Sequence, residues 1–132
     1  MRASLVALLL LSSCGPKRVY TDADVPKLET LDDVMWAQAQ AADPQFKKIG
    51  RASYSDEDFA GFAAAGERIK LTTERLKQPP FSKGAAFDGL ADQLATRAGE
   101  LLEAAGAKDA AKSSAALQAM KDTCKSCHKQ FK

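Results

Sequence analysis

Apolar and small residues recur along most of this chain at alternating steps of three and four. That spacing draws one stripe down the side of a helix. Four such runs stand out. The first carries Leu28, Leu31, Met35, Ala39, Ala42 and Phe46, and the second Phe59, Phe62, Gly66, Ile69, Thr73 and Leu76. The third carries Phe87, Leu90, Leu94, Ala98, Leu101 and Ala105, and the fourth Ala110, Ser113, Leu117, Met120, Cys124, Cys127 and Phe131. Turn signals separate them. The Asp43–Pro44 pair is expected to kink or end the first helix, Ser55 to cap the second, Gln78–Pro80 to stop it, and Gly106 to close the third. No strand alternation or βαβ unit interrupts the pattern. The expectation is an all-α domain over residues 28–132, an antiparallel up-down four-helix bundle.

Two features strain that reading. Residues 47–58 form a longer connection, and glycines at 61, 66 and 99 each cost a helix about 1 kcal/mol relative to alanine. The stripe is also thin at Ala39, Gly66, Thr73, Ala98 and Ser113. Either the helices approach closely there or something else fills the space.

Composition supports helix, because alanine is abundant and β-branched residues are few. A chain of 132 residues with net charge +2 suits one domain and gives no basis for nucleic-acid binding.

The first 27 residues follow other rules. "MRASLVALLLLSSC" has an arginine, an apolar run from Leu5 to Leu11, and small residues before Cys14. This is the order of an export signal, and the run is too short to span a bilayer. "LSSC" resembles a bacterial lipobox. That resemblance implies removal of residues 1–13 and acylation of Cys14; the alternative is an ordinary secretory signal. Glycine rather than aspartate after Cys14 favours the outer membrane over the inner one, by the same resemblance. The expected location is periplasmic and lipid-anchored. Residues 14–27, "CGPKRVYTDADVPK", have no amphipathic period and read as a tether.

With Cys14 assigned to lipid, Cys124 and Cys127 remain, followed by His128, the sole histidine. In an oxidising compartment two free thiols are a liability unless joined or occupied. C-x-x-C-H is the attachment pattern of haem c: the thiols form thioethers with the ring's vinyl groups and the histidine binds the iron. Zinc wants four nitrogen or sulfur ligands, and only three are at hand. A thioredoxin-like redox pair sits at a helix start after a strand, whereas this pair lies near a helix end. A surface disulfide or unoccupied thiols complete the alternatives.

The closing "CKSCHKQFK", on a fourth helix of an exported bundle, resembles the cytochrome c′ family and its low-spin relatives, which are type examples of up-down bundles. The resemblance covers about residues 28–132. It implies one covalent haem c on Cys124 and Cys127, His128 as proximal iron ligand, and a distal residue from the first helix. Dimers are common in that family, so a homodimer is implied as an option. Two departures stand out. The chain carries a lipobox, and Leu31 occupies the position where an arginine commonly lies one turn before the distal residue.

His128 being alone, two histidines cannot ligate one iron within this chain. Met120 is on the same helix and reads as core packing. Met35 is the candidate distal ligand, which would give histidine–methionine ligation and a raised potential; the alternative is a core methionine that shields the iron without bonding it. Trp36, about 100° around the helix from Met35, flanks the haem or faces another helix. Phe131 is expected at the haem edge or at a bundle-end contact. Lys121, Lys125, Lys129 and Lys132 form a solvated basic face able to steer an acidic redox partner. No acid/base pair or nucleophile points to an enzyme. The functional expectation is single-electron transfer outside the cytoplasm. The alternatives are a five-coordinate haem protein that binds nitric oxide or carbon monoxide, and a haem-free helical lipoprotein.

Overall fold

The computed structural model describes residues 18–132, so the expected signal segment and the expected acylation site Cys14 lie outside the described residues. A 3-10 helix at Asp22–Lys27 precedes four α-helices: α1 (Leu31–Phe46), α2 (Asp56–Leu76), α3 (Ala85–Gly106) and α4 (Ala110–Phe131). No strand occurs among the described residues.

Three of the four α-helix starts are fixed by a local polar side chain. Thr30, Ser55 and Asp109 cap α1, α2 and α4 by accepting from backbone N–H groups three residues on. At α3 the cap is Gly84, with φ of 98°, a conformation that favours residues without a Cβ. The end of α3 differs from expectation. Gly106 is the last helical residue, and Lys108 (φ 52°) takes the left-handed position. The proline expectation also needs correction. α1 runs through Pro44 to Phe46. Pro44 lies in the last turn, where a missing N–H removes only one intrahelical bond.

The pairings run in opposite directions along neighbouring helices. Gln38 of α1 bonds Thr72 of α2, while Gln45 of α1 lies against Gly61. On the other flank of α2, Gly66 abuts Ala98 and Leu102 of α3, and Lys77 pairs with Asp92 at 2.8 Å. The chain is therefore an antiparallel helical bundle in which α1 packs on α2, α2 on α3 and α3 on α4, whereas α1 and α4 barely touch.

That last asymmetry explains the thin stripe in two different ways. Between α2 and α3 the small residues allow close approach. A Cβ on Gly66 would sit 2.8 Å from Leu102 Cγ and 3.1 Å from the Ala98 carbonyl oxygen. On α1, by contrast, Ala39 and Ala42 line an open crevice toward α4. The residues of α1 buried in the bundle are Val34, Ala37, Gln38 and Ala42; the first three are offset from the expected stripe, and Ala42 belongs to it.

Two clusters make the core. The larger joins Phe59, Phe62, Ile69, Leu94, Leu101, Leu117 and Met120; the smaller joins Leu28, Val34, Leu76, Phe81 and Phe87. Met120 is fully buried, as expected for core packing. The connection at 47–55 is ordered by Tyr54, whose ring meets Phe62 edge-on at 4.8 Å and whose hydroxyl donates to the Lys48 carbonyl.

The tether expectation fails from Arg18 onward. From Arg18 to Leu28 the chain is a strap laid against α1 and α2. Val25 and Leu28 are buried. Arg68 donates to the Tyr20 carbonyl at 2.9 Å and to the Asp22 carboxylate, and Arg75 donates to the Leu28 carbonyl. Tyr20 donates from its hydroxyl to Asp33.

Candidate haem-attachment site

α4 presents Cys124, Cys127 and His128 in its last two turns. A separation of three residues puts both cysteines on one side of the helix. That side is where α1 and α4 stand apart. Cys124 packs against the larger core cluster and Cys127 against the smaller, so the pair spans the seam between the two. Neither thiol is in a disulfide. Burial pushes the Cys124 thiol up to about 11, with a smaller contribution from Cys127, and burial also raises Cys127. Thiols held protonated in this way are unlike the acidic, activated thiol of a redox pair. A helix end in an all-helical fold removes the strand-to-helix setting as well.

Opposite stands α1. Its crevice wall is Met35, Gln38, Ala39, Ala42, Asp43 and Phe46, and the floor is Ile69, Leu76, Phe87, Leu90, Ala91 and Leu94 from α2 and α3. The crevice continues outward past Leu31, Lys83, Phe131 and Lys132. Met35, Leu76, Phe87, Cys127 and His128 border both parts. Met35 and His128 thus line one apolar slot from different helices. Among the described residues, no three His, Cys, Asp or Glu side chains converge as a metal cage.

The donor set suits a flat apolar group held at one edge. Two thiols and an adjacent exposed imidazole occupy one wall, the lining is mainly aliphatic and aromatic, and the helix facing them is built of alanine at two successive turns. Phe131, the aromatic three residues after His128, meets Phe87 edge-on at 5.3 Å and lines the outer part of the slot. Lys83 ties this end down by donating to the Phe131 carbonyl at 3.0 Å.

Trp36 does not border the slot. Its indole N–H donates to the Arg18 carbonyl at 2.8 Å, so it packs toward the strap. That corrects the suggested haem contact, and the reason is the 100° step between successive helical residues. Leu31, at the position where the family's arginine is missing, borders the outer slot.

One wall residue was not singled out from the sequence. Gln38 is buried at the rim and donates from Nε2 to Thr72 Oγ1 at 3.0 Å. Thr72 spends its own proton on backbone carbonyls of α2, so its oxygen is free to accept. The signal in the sequence was spacing alone, since Gln38 follows Met35 by three residues.

Comparison with curated proteins and with solved structures returned no match. A family model does match: Cytochrome C′, over residues 28–132. That span takes in all four α-helices and the cysteine–histidine motif, and the family implies a covalently bound c-type haem. The chain belongs to the cytochrome c′ family.

Proposed function

We propose that the protein is a monohaem electron carrier, anchored by lipid at Cys14 on the periplasmic side of a membrane, preferentially the outer one. Proteins of this family are typically extracytoplasmic, and among the described residues no helix is long and apolar enough to cross a membrane. The observation that carries the reading is the placement of Met35 and His128 on different helices bordering one slot.

A haem bound there supplies reversible one-electron chemistry. The chain's own groups decide what else happens. Cys124 and Cys127 would hold the haem covalently on α4, and His128 and Met35 would offer it an imidazole nitrogen and a thioether. With both side chains engaged, the iron would be closed to an exogenous molecule, and thioether ligation would raise its potential. The aliphatic walls from α1 and α3 give the site a mainly apolar lining, which limits reorganisation when charge changes. The exposed Lys125 and Lys129 beside the motif give the surface a positive rim for an acidic redox partner. This is carrier rather than bond-making chemistry, so the protein is not read as an enzyme.

Potentiometric titration of the matured protein checks this directly. The expected result is a single reversible one-electron wave, with an optical spectrum indifferent to carbon monoxide and nitric oxide. A spectrum that shifts readily with either gas would instead establish Met35 as a shield, and the gas-binding reading would replace electron transfer.

A further inference from the structure

Residues outside the described chain end at Lys17, and the first described residue is pinned. The Arg18 carbonyl accepts from Trp36 Nε1 at 2.8 Å and from Gln40 Nε2, halfway along α1. From there the strap is held on α2 by Arg68, which donates to the Tyr20 carbonyl and the Asp22 carboxylate and, at 3.3 Å, to the Ala37 carbonyl. Cys14 is only four residue steps before Arg18. Four steps reach at most about 14 Å even when fully extended. An acyl group on Cys14 would therefore hold the middle of the α1–α2 outer side close to the lipid.

That side carries what an interface with lipid needs. Val19 and Leu71 are the two exposed large hydrophobic residues among the described ones, at 83% and 38% exposure. Both flank the strap: Val19 belongs to it, and Leu71 is one helical turn beyond Arg68 on α2. The exposed Arg18 adds a cation four residues from the anchor, suited to anionic headgroups. We propose that the strap Arg18–Leu28 docks this face on a phospholipid bilayer and so fixes the orientation of the haem slot. The proposal rests on the acylation of Cys14. The slot wall of α1, represented by Met35, is turned about 100° from Trp36. The slot then opens sideways along the membrane surface, where a periplasmic partner can reach it.

The test uses the full-length, acylated, haem-loaded protein on vesicles of phosphatidylethanolamine and phosphatidylglycerol. With Cys124 and Cys127 bound to haem and Cys14 acylated, one added cysteine takes a spin label. Labels at Leu71→Cys and Ala64→Cys, on the docking side, are compared with Ala115→Cys on α4. The expected result is a several-fold loss of collision with an aqueous nickel chelate at the first two positions only. Equal accessibility at all three, on protein with the acyl mass confirmed, would overturn the docked face while leaving the anchor intact. Absence of acyl mass on Cys14 would reject the anchor and the docked face together. Arg68→Gln, which loosens the strap at a residue that does not border the slot, is expected to equalise the labels with the haem spectrum unchanged; protection that persists would show that the strap does not set the orientation.

Discussion

Ser113 sits fully buried on α4 with its hydroxyl oxygen unpartnered. An unsatisfied buried polar atom costs about 1–3 kcal/mol. Ser113→Ala is therefore expected to stabilise the domain by about 1 kcal/mol, seen as a higher urea midpoint with unchanged slope. Gly66 looks equally slight in the sequence and behaves oppositely. Its missing Cβ is what lets α2 meet Leu102 and the Ala98 carbonyl. Overpacking of this kind costs about 1–3 kcal/mol and outweighs the helix-propensity gain of about 1 kcal/mol, so Gly66→Ala is expected to lower the midpoint. Sequence spacing put both residues on the core faces of their helices. It could not say which small residue marks a close approach and which marks a cavity wall, because that depends on the neighbouring helix.

Among the elements, α2, α3 and α4 were legible because their stripes repeat over five or six turns, helped by the Ser55 cap and the Gln78–Pro80 stop of α2. α1 was harder. It is 16 residues long, and two faces are occupied besides its core face: one borders the slot and the other carries the strap. Its apolar stripe served both the slot and the core: Met35 and Ala39 border the slot, while Ala42 is also buried in the larger core cluster. The strap itself was invisible, because arginine side chains hold it by its backbone carbonyls, and such contacts leave no periodic trace. Its hold is pH-dependent. Hydrogen bonds from Tyr20, and then Thr30, keep Asp33 below the usual carboxylate range, and Thr21 does the same for Asp24. A carboxyl made more acidic by folding binds fewer protons in the folded state. Its stabilisation is complete above an unfolded value of about 3.9 and is lost as pH falls through the lowered folded value. Urea midpoints measured from pH 6 down to 3 are expected to drop at the acid end. Asp33→Asn is expected to flatten that drop while lowering stability at pH 6; an unchanged slope would remove Tyr20–Asp33 from the account.

At the scale of the whole molecule, a bundle with three close helix pairs and one open pair has one natural place for a flat prosthetic group. The cysteine–histidine motif faces that opening. The motif was readable from the sequence as chemistry: two thiols, one imidazole and no second histidine. The opening was not, since it arises from how little α1 and α4 touch. Together they reduce the function to the question of what faces His128 across the slot. The most direct measurement is the optical spin state of the ferric, haem-loaded protein beside its Met35→Ala variant. The account predicts a low-spin parent with a methionine–iron charge-transfer band toward the red, and a high-spin variant lacking that band. A parent that is already high-spin, or a variant that stays low-spin, would contradict it.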